Sequence, residues 1–120
     1  MKLNIVMVSF LALMLLSCAS TPEKAPDVDL TEQAFEAISA GDFKKAEALL
    51  EVALSINSNN PFAILNMGVV YHNTNRIEQA REQYVKIILL NPEEKVQRSN
   101  VEEVEGRSLV DIAKQNLENL

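Results

Sequence analysis

Among its 120 residues the chain has no tryptophan, one cysteine (Cys18), one histidine (His72) and three glycines. A lone cysteine excludes a disulfide within the chain. One histidine, with no second histidine and no thiol cluster, leaves an imidazole or thiolate metal site short of ligands. No Gly-rich phosphate loop of the P-loop kind occurs. Positive charge is also scarce: 11 Lys and Arg stand against 17 Asp and Glu, for a net charge of −6. Nucleic-acid binding rests on cations that neutralise phosphates, so that class of partner is not expected. Glu93/Glu94 and Glu102/Glu103 read as charged loop rather than paired catalytic acids. Neither an enzyme nor a bound cofactor or metal is expected.

Long hydrophobic runs are reduced to one. After Met1 and Lys2, "LNIVMVSFLALMLLSC" carries a mainly apolar run of about 14 residues that stops short of Cys18. That is short of the roughly 20 needed to span a bilayer as a helix. A basic start, a short apolar core and small residues at its end read as a secretory signal. Leu15, Leu16 and Ser17 before Cys18 resemble the lipobox of bacterial lipoproteins. The resemblance implies cleavage after residue 17, acylation of Cys18 (with palmitate among the chains) and membrane attachment through the acyl anchor alone. With Ala19 rather than aspartate following, it implies the periplasmic face of the outer membrane in a Gram-negative cell. An ordinary signal peptide with an incidental cysteine is the alternative. Residues 18–28 read as a polar linker.

What the rest of the chain does have is a repeat. Residues 27–60 align with 61–94 without a gap, an offset of 34 residues. Ala34 falls on Gly68, Gly41 on Asn75, Phe43 on Ile77, Ala46 on Ala80, Leu50 on Tyr84 and Leu54 on Ile88. Each unit reads as two helices. Asn60 caps a helix that begins at Pro61, where a missing N–H costs nothing. Gly41 and Asn75 tolerate the left-handed conformation that ends a helix. Asp42 caps the next helix, whose apolar positions Phe43, Ala46, Leu49, Leu50, Ala53 and Leu54 keep helical spacing. Asn91-Pro92 closes unit two. Gly68 and Ala34 are expected where paired helices touch, facing Ala80 and Ala46. Gln33 and Ala37 replace larger apolar residues, so the first hairpin is expected to pack less firmly.

The 34-residue period, with Ile64, Met67, Gly68, Tyr71, Ala80, Tyr84 and Pro92, resembles the tetratricopeptide repeat (TPR) family. The expected fold is all-α: a short TPR solenoid of two hairpins over 29–94, an acidic linker over 95–107 and a capping helix over 108–120. Ser108 and Asp111 approximate a capping box, and Leu109, Ile112, Ala113, Leu117 and Leu120 form a stripe interrupted by Asn116. Val96, Val101 and Val104 are placed to strap the linker to the body. A third, degenerate hairpin is the alternative.

The resemblance implies a concave groove that holds a partner protein or peptide segment. Carried over by position, the groove presents Thr31, Glu32, Phe35 and Ile38, then Phe62, Leu65, Asn66, Val69, His72 and Asn73. Phe62, Leu65 and Val69 are apolar at positions the hairpin core does not need, and an exposed apolar patch marks an interaction site. The linker or terminal helix filling that groove is the rival. Asn66 matches an asparagine that some family members use to hold a peptide backbone or carboxylate. The basic partners of that clamp have no counterpart at Phe35, Val69 or His72. The expected function is a lipid-anchored envelope scaffold, with pilus, secretion or cell-wall assembly as the settings the resemblance suggests. Two hairpins fall short of the usual three repeats, so a structural subunit buried in a permanent homo- or hetero-oligomer is the alternative.

Overall fold

Local sequence starts three of the helices and closes two of the turns by identifiable bonds. Asp42 accepts from the Lys45 N–H at 3.1 Å, Asn60 from Ala63 at 3.0 Å and Ser108 from Asp111 at 3.1 Å. Each satisfies one of the donors that a helix start leaves orphaned. The first two hairpin turns close identically. Gly41 and Asn75 have φ of +76° and +59°. The following N–H reaches back to the helix, Asp42 to Ala37 at 2.9 Å and Arg76 to Tyr71 at 2.8 Å. This is the left-handed helix stop in which the sixth residue bonds the first.

A computed structural model describes residues 22–99 and 105–120, and within them the protein is all-α. The helices are α1 (Pro26–Ser39), α2 (Phe43–Ile56), α3 (Pro61–Asn73), α4 (Ile77–Leu90) and α5 (Leu109–Glu118). The apolar run with Cys18, and the linker valines Val101 and Val104, lie outside the described residues. Helix α1 begins within the stretch read as linker. Pro26 suits a first turn, and Asp27 and Asp29 there complement the positive end of the helix. Among the described residues no helix is long and apolar enough to cross a membrane.

Helix α1 packs on α2 and α3 on α4, while α2 meets α3 and α1 meets α3. Two cores result. One gathers Ala34, Ala37, Ala46, Leu50, Ala53, Ala63, Met67 and Val70 between α1, α2 and α3. The other gathers Ile64, Leu65, Ala80, Tyr84 and Ile87 with Val96, Leu109, Ile112 and Ala113. Gly68 sits at a close approach to α4, and its nearest contact there is Tyr84, one turn on from Ala80. A β-carbon there would lie 2.5 Å from Tyr84 Cε1 and 3.0 Å from Cδ1. The fully buried tyrosine ring occupies the space that the glycine leaves.

Helix α5 packs on α4 and α3, much as α3 packs on α2 and α1. Ala113, Leu117 and Leu120 turn inward at the spacing of Ala63, Met67 and Val70. Lys114 and Glu118 take the spacing of Ile64 and Gly68, which in α3 face the hairpin partner, and both are exposed. A helix with one apolar and one polar face ends a stack of repeats without leaving a sticky surface. Between α4 and α5 the chain doubles back: Val96 donates to Arg107 O at 3.0 Å, and Gly106 donates to Val96 O at 2.8 Å. Val96, within this strap, is buried.

Candidate protein-binding groove

Because α1 meets α3 and α3 meets α5, these three helices line a common concave side. A groove of about 860 Å³ runs along it. From α1 it receives Thr31, Glu32, Phe35 and Ile38, and from α3 Phe62, Leu65, Asn66 and Val69. Helix α5 contributes Ile112 and Asn116, and the strap contributes Val96 through Ser99. The side-chain amide of Asn66 lies among apolar neighbours and has no hydrogen-bond partner among the described residues.

Several expected positions behave differently. His72 and Asn73 are not part of the groove lining. They occupy the last turn of α3, and Asn73 donates to the Val69 carbonyl of its own helix at 2.8 Å. Leu65 is needed by the core: it is 7% exposed and packs with Tyr84, Leu109 and Ile112. Arrival of α5 buries it. Thr31 is also buried, its hydroxyl donating to Asp27 O at 2.6 Å.

Thr31 belongs to a polar cluster at the α1 start of the groove. Asn60 Nδ2 donates to Asp27 Oδ2 at 2.9 Å and Asn57 Nδ2 to the same oxygen at 3.1 Å. Those two bonds, Asn60 first, hold the Asp27 carboxyl below its ordinary value of 3.8 against the opposing effect of burial. Asn60 therefore works twice, as cap for α3 and as a clasp on α1. The sequence carried a trace of this in the asparagine-rich turn "NSNN", but the partner lies 33 residues away.

The strap forms a wall rather than a plug over the residues described. Arg98 pairs with Glu36 at 2.6 Å and lies 4.9 Å from the Phe35 ring centroid. Lys24 pairs with Glu32 at the same rim. Both groove cations are thus engaged by carboxylates of α1. At the far side, Tyr84 Oη is buried with no hydrogen bond of good geometry. Burial pushes the phenol up to about 12, and nearby Asn116 opposes this. The polar residue that interrupts the α5 stripe is thus the one that lines the groove.

Outside the groove, Arg76 holds Glu47 by two bonds of 2.7 Å each and lies 4.6 Å from the Tyr71 ring centroid. This pair ties α2 to the α3–α4 turn and keeps the Glu47 carboxyl below 4.5. Among the described residues no group of three or more His, Cys, Asp or Glu is arranged to hold a metal ion.

No curated protein and no solved structure matches the chain. A family profile described as Tetratricopeptide repeat matches residues 37–99. The match takes in all of α2, α3 and α4 and extends into the strap. Such repeats generally mediate protein–protein interaction or scaffolding and are typically not catalytic. With paired helices in a 34-residue register and a family match over more than half its length, the chain belongs to the tetratricopeptide repeat family.

Proposed function

We propose that this protein is a lipid-anchored cell-envelope scaffold that holds an extended segment of another envelope protein in its groove. The groove chemistry carries the reading. Phe35, Ile38, Phe62 and Val69 are half-buried, so they offer apolar surface, and the free Asn66 amide can both donate to and accept from a peptide bond. Because Lys24 and Arg98 are paired, an internal segment suits the groove better than a terminal carboxylate. The lipobox-like "LLSC" supports an acyl anchor at Cys18, Ala19 after it supports outer-membrane placement, and the resemblance to repeat-containing lipoproteins suggests pilus, secretion or cell-wall assembly as the setting. The α5 helix, polar on its outer face, favours a stack complete in one chain over a permanent oligomer.

The test is a photo-crosslinking amino acid at Val69 in the groove and at Lys44 outside it. A discrete adduct at Val69 alone is expected, and Phe62→Glu should abolish it while circular dichroism stays helical. An adduct that survives Phe62→Glu would remove the groove as the binding site. Labelled palmitate should enter the protein, and Cys18→Ser should prevent this; label retained by that variant would remove the anchor.

A further inference from the structure

The large apolar side chains left in solvent are not scattered. Among the described residues they are Val28, Val52, Ile56, Val85, Leu89 and Leu90. Val28 is in the first turn of α1, and the others lie in the C-terminal halves of α2 and α4. Neighbouring helices run antiparallel within each hairpin, so these segments share one end of the molecule. Hydrogen bonds hold that end together. Asn57 and Asn60 bind Asp27, and Lys86 Nζ donates to Ser58 O at 2.9 Å. The opposite end carries Gly41, Asp42, Lys44, Lys45 and the turn from Asn73 to Arg76. No large exposed apolar side chain lies there among the described residues. Isolated surface apolar residues need no explanation, but confinement to one end does.

The apolar end is also the end at which α1 begins. Upstream of Pro26 the chain leads, through Cys18, to the apolar run of residues 3–16. From Cys18 to Pro26 even a fully extended chain reaches less than about 30 Å. An anchor at Cys18 would therefore hold the domain close to the membrane. Charges at this end are of both signs, Lys24 and Lys86 beside Glu23 and Glu93, so electrostatic attraction to anionic headgroups does not orient it. Burial of apolar side chains in the headgroup boundary does.

We propose that this end of the repeat domain rests on the lipid surface, with Leu89 and Ile56 as its deepest contacts. Leu89 is 79% exposed and Ile56 51%, the two largest values in the group. The helices then stand end-on to the bilayer, with the Asp42 and Asn75 turns pointing away from it. This deepens, and rests on, the reading of the chain as membrane-anchored.

The absence of tryptophan provides the test. The full chain carrying Leu89→Trp, Ile56→Trp or Gln79→Trp, the last exposed at the polar end of α4, is reconstituted with phosphatidylcholine vesicles. Brominated acyl chains should quench the emission of the first two variants and leave Gln79→Trp unchanged. Flotation with vesicles but no quenching at position 89 or 56 would overturn the orientation and leave the anchor standing. Protection of those positions from iodide without brominated-lipid quenching would mean a protein covers the end, and would also overturn it. Failure to float would remove anchor and orientation together.

Discussion

The two hairpins fill one 34-residue register with different volumes. In the first, Ala34 on α1 is matched in sequence by Gly68 on α3, and Leu50 on α2 by Tyr84 on α4; all four are buried. The first hairpin thus combines a methyl group with a leucine. The second removes the β-carbon and spends the space on an aromatic ring. Around the first pair the core is alanine-rich; around the second it holds Ile64, Ile87, Leu109 and Ile112. The difference follows from what each hairpin must meet. Unit two also receives α5, and the larger ring reaches toward it at Asn116. A glycine's cost of about 1 kcal/mol in helix propensity is thereby exchanged for buried aromatic surface.

The comparison predicts a ranking of damage. Tyr84→Ala should cost about 3–5 kcal/mol, because it opens a cavity shared by α3, α4 and the α5 side. Urea unfolding of the full chain measures it. A loss no larger than about 1 kcal/mol would mean the second core does not depend on the ring. Asn60→Ala comes next. It removes a cap worth about 0.5–2 kcal/mol and leaves Asp27 with one side-chain donor fewer.

The same clasp contributes to the response to acid, as does the Glu47–Arg76 pair. Asp27 and Glu47 are held below 3.8 and 4.5 in the folded chain. The folded state therefore binds fewer protons than the unfolded one as pH falls past those values. The stabilisation is present above that range and is lost as pH drops through the lowered folded values. Asp27→Asn should flatten the acid limb of a thermal-melting profile while leaving the slope between pH 6 and 8 unchanged. An acid limb as steep as in the parent chain would dismiss the clasp. Smallest of all, Tyr84→Phe should be neutral or stabilising by up to about 1 kcal/mol, because it deletes a buried hydroxyl that lacks a well-formed bond. A clear loss of stability would show that Asn116 binds that hydroxyl strongly.

What could be read in the sequence was local or periodic. Asp42, Asn60 and Ser108 act within three residues of themselves, and the two left-handed turns follow from Gly41 and Asn75. The register placed Phe35, Ile38, Phe62, Asn66 and Val69 on one side because helical spacing propagates along a repeat. It overreached at His72 and Asn73, where α3 is ending and the side chain of Asn73 turns back on its own backbone. The register alone did not show the burial of Leu65, which packs with Leu109 and Ile112 of α5. The connection to that helix spans residues 91–108 and has no period to follow. The Asp27 clasp and the Arg98–Glu36 pair were hidden for a related reason: their partners are 33 and 62 residues apart. Gly68 was recognised as a close approach, but the ring of Tyr84, one turn from Ala80 on the same face of α4, was not foreseen as its nearest contact.

The interlock between small and large side chains is tested most directly by a double-mutant cycle in urea. Gly68→Ala alone should cost up to about 2 kcal/mol, overpacking against the ring outweighing the gain in helix propensity. In a Tyr84→Leu background, which writes the first hairpin's solution into the second, the same substitution should cost nothing or stabilise. Equal costs of Gly68→Ala in both backgrounds would contradict the claim that the two hairpins are one packing arrangement with its volume redistributed.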